Sequence, residues 1–322
     1  CRRRDVVSST GLMSIMQMMH AMNANQVWDD IIIGAGSSGS VLASRLSEQS
    51  ARQVLLLEAG PDFPQSDRIP AALKDATSPV MFGYNWDFAA NLRSSGLFQN
   101  LLQSANVMAA APRDMFSAAK ATMRSSQPLA TTLQQFPYCM GKVVGGSSAV
   151  NGAIALRPLP DDFARWAAAG NTEWTWEQVL PYFRKIETDH DFSGELHGAS
   201  GPVPVTRPKE QDLHALQAAF RQACRVSGLP DIPDMNASSA AGVGLVPTNS
   251  IEHQRISSAI AYLGPARARP NLTIQAGCTV NRILFEGQRA GGVEWLDADG
   301  KQQAILGKRM TRCPGTFSTV RI

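Results

Sequence analysis

The first regular pattern of hydrophobic positions runs from Trp28 to Glu58. Ile31, Ile32 and Ile33 form a continuous β-branched run, glycines follow, and Val41, Leu42 and Leu46 recur at helical spacing within Ser40 to Ser47. A second apolar run, Val54 to Leu57, stops at Glu58. Apolar runs without alternation suit strands covered on both faces, whereas the spacing of Val41, Leu42 and Leu46 suits one face of a helix. Residues 29–58 therefore predict strand, tight turn, helix and strand, a βαβ unit that implies a parallel sheet.

Further along, Trp176 to Glu187 and Asp212 to Ser227 predict amphipathic helices, the second ended by Gly228 and Pro230. Gly194 to Pro208 is a connector with short extended pieces such as Val203-Pro204-Val205. Four short runs follow, Leu272 to Gln275, Val280 to Glu286, Gly292 to Leu296 and Gln302 to Leu306, and together they predict a β-meander. The stretch from Asn91 to Gln135, rich in Ala, Ser, Gln and Met, predicts surface helices or a lid. No internal repeat is present.

Composition narrows the class without deciding it. The 322 residues are 44% hydrophobic and 18% charged, a globular balance far from that of disordered chains. A net charge of +3 with scattered basic residues argues against a nucleic-acid partner. Five well-separated cysteines, Cys1, Cys139, Cys224, Cys278 and Cys313, are odd in number and contain no CxxC pair, so neither a zinc knuckle nor a disulfide framework is expected, and no metal site is assigned. No apolar run has the length of a transmembrane segment. The Arg- and Met-rich residues 1–27 read as a disordered leader, and their interrupted apolar stretch supports organellar targeting only weakly.

The chemistry-bearing motif lies in the βαβ turn. Gly34-Ala35-Gly36-Ser37-Ser38-Gly39 has GxGxxG spacing, with Glu58 about twenty residues on. Gly34 permits the turn, Gly36 lets backbone approach a pyrophosphate, and Gly39 lets helix pack on strand. The phosphates of a dinucleotide then face the positive end of the helix. Glu58, at the end of the second strand, is placed to accept ribose hydroxyls and to repel a 2′-phosphate. The turn alone does not separate FAD from NAD.

A second glycine-rich segment, Gly141-Lys142-Val143-Val144-Gly145-Gly146-Ser147-Ser148-Ala149-Val150-Asn151-Gly152, continues through Ala155, Arg157, Pro158, Asp161, Phe163, Ala164, Trp166 and Gly170. With Tyr84-Asn85-Trp86, His197-Gly198, Gly201-Pro202 and Arg255 through Ser258, Ala259, Tyr262 and Leu263, this text resembles the glucose-methanol-choline (GMC) oxidoreductases over residues 28–322. Paired glycines followed by serines also make a loop whose amides reach a flat ligand without side-chain obstruction.

The resemblance implies an α/β protein: a Rossmann-like FAD-binding fold with a β-meander and a smaller, incomplete substrate-binding domain. Residues 28–154 and 256–322 would form the discontinuous FAD domain, with 91–135 its lid or insertion, and 155–255 the substrate side. The candidate cofactor-binding residues are Gly34, Gly36, Ser37, Ser38, Gly39, Glu58, Ala59, Val143, Gly146, Ser147, Asn151, Gly152, Ala153, Ile154 and Val280. Val143 and Asn151 to Ile154 would meet the isoalloxazine and ribityl chain, and Val280 would offer backbone to adenine. The turn at Gly34 to Gly39 and the loop at Gly145 to Asn151 are expected to close on opposite ends of one flavin nucleotide. Val150 stands where some relatives carry a histidine bonded to the flavin, so non-covalent FAD is expected.

By the same resemblance, the activity is oxidation of a primary alcohol, choline-like or aliphatic, with hydride passing to flavin N5 and a quinone or oxygen reoxidising the flavin. The compartment is expected to be cytoplasmic or peripheral to a membrane. The family's base is a histidine near the C-terminus of a full-length member, paired with a second His or Asn. Here the histidines are His20, His190, His197, His214 and His253, and none follows. No catalytic residue is thus assigned in this chain, which is expected to be an inactive flavin-binding fragment taken by itself. Cys313 to Ile322 resembles the start of the family's second signature, with departures at Pro314 and Val320.

Overall fold

The structure, a computed structural model, describes residues 27–91, 135–237 and 242–322. Strand β1 (Trp28–Ile33), helix α1 (Ser37–Leu46) and strand β2 (Val54–Leu57) form the expected βαβ unit, with α1 beginning earlier than its apolar spacing indicated because Ser37 and Ser38 occupy an exposed first turn. After the short strands β3 (Phe88–Asn91) and β4 (Gln135–Tyr138) come α2 (Pro160–Ala168), α3 (Trp176–Ile186), β5 (Glu187–Asp189), β6 (Val203–Val205) and α4 (Ala215–Val226). The chain closes with β7 (Ser250–Ile251), β8 (Gln254–Arg255), β9 (Leu272–Gln275), β10 (Thr279–Glu286), β11 (Arg289–Leu296), β12 (Gln302–Arg312) and α5 (Gly315–Arg321). Helix α4 is shorter than its sequence pattern because His214 caps its start, its ring nitrogen accepting from the Leu216 amide.

Two compact units emerge, Cys1–Tyr84 with Gly141–Ile322, and Asn85–Met140. The described part of the smaller unit is the antiparallel pair β3–β4. The expected lid or surface helices at 91–135 fall almost wholly outside the described residues, as does the leader up to residue 26.

The larger unit is organised by a six-stranded sheet in the order β10-β11-β12-β1-β2-β9. β12, β1, β2 and β9 run parallel, while β10, β11 and the first half of β12 form the antiparallel meander. One element differs from expectation. β9 leaves the meander to pair in parallel with β2, Val54 opposite Leu272 and Leu57 opposite Gln275. β12 belongs to both parts: Gln302 to Leu306 pair with β11 and Gly307 to Arg312 with β1. Its second half is polar in sequence because Lys308 and Arg309 reach Asp29 and Asp30 beside them, at 2.7 and 3.3 Å.

The side-chain period of two divides the central strands between two cores. Ile31, Ile33, Leu55 and Leu57 pack with Val280, Val293 and Trp295. Ile32, Val54 and Leu56 pack with Ala43 of α1, Leu263 and Ala266. Each such Leu or Ile contributes about 1.5–3 kcal/mol by burial. Because β1 and β2 are fixed on both faces, the turn and the acid at their carboxyl ends are fixed with them.

Candidate flavin site

The glycine turn begins where β1 ends. The Gly34 amide donates to the Leu57 carbonyl at 2.8 Å, and Gly34 is left-handed at φ +96°. A Cβ there would lie 2.6 Å from the Cys313 carbonyl oxygen, and one at Gly39 would collide with the carbonyl oxygen of Gly34. Packing within the protein thus explains two of the three glycines. It does not explain Gly36, whose φ of −73° any residue adopts and whose Cβ would meet nothing nearer than the Gly146 Cα at 3.9 Å. Helix α1 behind it has no side-chain cap and no acid in its first turn. A helix start with no side-chain cap and no acid in its own first turn, beside glycine backbone, fits a pyrophosphate in both charge and shape. Ser37 and Ser38 are exposed on that same turn.

Glu58 directly follows β2 and is buried. Its carboxylate accepts from the Ala35 amide at 2.8 Å and the Gly60 amide at 2.9 Å, so it braces the glycine turn from the neighbouring strand. With three amides on its two oxygens, the carboxylate keeps lone-pair capacity for one ribose hydroxyl. Burial pushes the Glu58 carboxyl above the ordinary glutamate value, against the amides of Gly60, Ala35 and Ala59 that favour the anion. The Glu58 carbonyl in turn accepts from Cys278, two residues before Val280, whose side chain is buried in the core.

The second loop lies directly on the first. The Val144 amide donates to the Pro61 carbonyl at 3.0 Å, and the Gly145 amide to the Ala35 carbonyl at 2.8 Å. Gly145 and Gly146 are both left-handed, at φ +102° and +53°, and a Cβ on Gly146 would stand 2.5 Å from the Gly36 Cα. The two segments therefore sit side by side in backbone contact at Gly36 and Gly146. Paired glycines are what make that approach sterically possible.

Beyond this contact the loop divides into buried and exposed positions. Val143, Val150 and Ala153 are buried, Val143 and Val150 packing with Leu73 and Ala149. Ser147, Asn151, Gly152 and Ile154 are exposed, Ile154 at 58%. Ser147 Oγ accepts from the Gly141 amide, and the Asn151 side chain accepts from the Ala153 amide at 3.0 Å. Ala153 has a left-handed φ of +55°, unusual for a residue with a Cβ. Gly152 has open space around it.

Several residues of this site escaped the sequence reading. Gly60 is required because a Cβ would strike the Lys142 carbonyl. Ser148 and Ser258 bond one another at 2.9 Å, and both reach the Gly145 carbonyl. Cys313 closes the glycine turn from β12, its amide donating to Ile33 at 2.7 Å, and burial raises its thiol pKa. Arg255 is fully buried beneath the loop. Ser148, Ser258 and Arg255 stand in the motifs that carry the resemblance, but their contacts span more than a hundred residues and leave no local pattern.

The described histidines have other duties. His190 is exposed, His214 caps α4, and His253 forms the β7–β8 turn. His197 is buried, with Nε2 3.0 Å from Asp234 and Nδ1 3.1 Å from Asp189. Glu187, Asp189 and His197 converge closely enough to suggest a metal. Arg157 already pairs with Glu187, and Arg207 bridges Asp189 and Asp234 at 2.8 Å to each. The convergence is accordingly a protein ion cluster that ties β5 to the segments at Arg157, Arg207 and Asp234.

The sequence model of the GMC oxidoreductase family matches residues 28–322. A GMC-type oxidoreductase of Rhodococcus erythropolis is 37% identical over 297 residues, covering 91% of this chain and 52% of the relative. An oxygen-dependent choline dehydrogenase of Stenotrophomonas maltophilia is 34% identical over 306 residues, covering 94% and 48%. The chain spans about half the length of these curated relatives. Among solved structures, pyridoxine 4-oxidase from Mesorbium loti is similar with a TM-score of 0.71 at 27% identity, over 89% of this chain and 49% of that one.

Proposed function

The chain belongs to the GMC oxidoreductase family, and from that membership we propose that it supplies the flavin-binding part of an oxidoreductase acting on the CH–OH group of primary alcohols. The carrying observation is the 2.8 Å bond from the Gly145 amide to the Ala35 carbonyl, which makes the dinucleotide turn and the second glycine loop one continuous cradle. Bound FAD supplies the electron sink, accepting hydride from the alcohol carbon.

Gly34, Gly36, Ser37, Ser38 and Gly39 would hold the pyrophosphate at the start of α1, with Glu58 and Ala59 beside the adenosine ribose and Val280 beside adenine. Gly146 and Ser147 would pass the cofactor to the second loop, where the exposed Asn151, Gly152 and Ile154 would face the flavin ring, while Val143 and Ala153, whose side chains are buried, would offer backbone alone. Val150 has no group able to bond the ring, and its side chain is committed to the core with Leu73. Binding is accordingly non-covalent. The proton acceptor for the alcohol is not among the residues assigned here. The reoxidant is a quinone or oxygen, and the choline dehydrogenase relative makes a choline-like alcohol the first substrate to try.

The test uses the purified chain loaded with FAD and mixed anaerobically with choline or a short aliphatic alcohol. Yellow colour that persists is expected of a flavin-binding part lacking its base, and bleaching would mean that the base lies in this chain. A colourless, folded chain that takes up NAD instead would overturn the reading.

A further inference from the structure

We infer that Arg255 is a positioning residue that sets the conformation of the Asn151–Ala153 crest for the flavin, an inference that rests on the FAD reading above. The sequence Ser250 to Arg255 folds as the hairpin β7–β8, turned through Glu252 and His253. Both turn residues are left-handed, at φ +48° and +63°, the geometry that matches strand twist in a two-residue turn but that rarely recruits Glu and His. The turn is anchored where the Ala76 amide donates to the His253 carbonyl at 2.9 Å. At the hairpin's base, the Asn249 amide donates to the Ala153 carbonyl at 2.8 Å.

Arg255 leaves this base with its side chain wholly buried. Its Nε donates to the Leu73 carbonyl at 3.3 Å, and Nη2 to the carbonyls of Asp75 and Ser78 at 2.6 and 2.8 Å. The remaining arm, Nη1, donates to Asn151 Oδ1 at 3.3 Å. Every acceptor is neutral, so the guanidinium is buried against its hydration cost for the sake of where its rigid fork points. A lysine ammonium has no such fixed geometry.

Asn151 Oδ1 is thus held between Arg255 below and the Ala153 amide beside it. That arrangement maintains Ala153 at φ +55°, a conformation that persists only where surrounding contacts over-determine it. With Ala153 gripped at its carbonyl by Asn249 and at its amide by Asn151, the exposed Asn151–Gly152 backbone above has one orientation. The exposed crest is the part that meets the ring, and Arg255 fixes it without touching the cofactor.

The test is a double-mutant cycle on FAD affinity, read by flavin fluorescence, with the visible spectrum of bound flavin recorded for each variant. Arg255→Lys and Asn151→Ala are each expected to weaken FAD about tenfold and to shift the flavin band, a signature that a general loss of stability does not produce. The double variant is expected to bind no worse than Asn151→Ala alone. Additive losses, or an Arg255→Lys protein with wild-type affinity and spectrum, would overturn the inference while leaving the FAD reading intact. Failure of the wild type to bind FAD would overturn both. Should Arg255→Lys not fold, Arg255→Gln takes its place in the cycle: weaker FAD that is not additive with Asn151→Ala is expected, and additive losses or wild-type affinity would overturn the inference.

Discussion

The Gly145 amide donates to the Ala35 carbonyl at 2.8 Å, joining two loops 110 residues apart in the chain. Gly146 has room for no Cβ against Gly36 across that contact, and Gly39 has none against Gly34 within the first turn.

Gly146→Ala and Gly39→Ala should therefore damage the fold itself. Each places a methyl on unyielding backbone, and Gly146 is also left-handed, so a loss of about 1–3 kcal/mol is expected. Urea unfolding of the two variants checks this: a wild-type midpoint for Gly146→Ala would contradict the loop contact, and one for Gly39→Ala would contradict the packing of the first turn.

The cluster around His197 makes a second prediction about stability. Arg207→Met leaves Asp189 and Asp234 buried without their shared guanidinium, a change expected to cost about 3–5 kcal/mol. Thermal melting of that variant checks it. Arg225→Met is the comparison, because Arg225 pairs with Glu210 and Asp231 at the surface, where solvent screens the pair, and its melting temperature should stay close to that of the wild type.

Glu58 makes a prediction about pH. Its folded pKa is raised by burial above 4.5, so its contribution to stability is fully present below that value and is lost as pH rises through the folded pKa. The apoprotein should consequently lose stability with rising pH relative to Glu58→Gln over that window. Urea midpoints of both proteins across the acid-to-neutral range measure the difference. A difference that does not change with pH would mean that Glu58 is not buried as described.

Non-covalent attachment is checked by acid precipitation of the FAD-loaded chain. Val150 is buried with Leu73, Val143 and Ala149 and has no nucleophile, so the flavin should appear entirely in the supernatant. Yellow colour in the washed pellet would contradict this.

How far the sequence disclosed this arrangement depends on the range of each interaction. The βαβ unit was legible because Ile31 to Ile33 and Val54 to Leu57 are covered on both faces and carry no polar interruption. The second half of β12 was not, because Lys308 and Arg309 are held by Asp29 and Asp30 of a strand some 280 residues earlier. β9 read as meander because its four residues look alike in either setting, and only its pairing with β2 distinguishes them. The GxGxxG turn announced itself through spacing, whereas Gly60 and Cys313 became visible as site residues only once Lys142 and Gly34 were seen against them.

The proposal that the two glycine loops cradle FAD is tested most directly at Gly36, the one glycine of the turn that packing within the protein does not require. FAD affinity and melting temperature are measured for the wild type and for Gly36→Ala. The account predicts FAD binding by the wild type and a variant that melts within about 2 °C of it yet binds FAD at least about tenfold more weakly. A Gly36→Ala chain that takes up FAD as tightly as the wild type would contradict it.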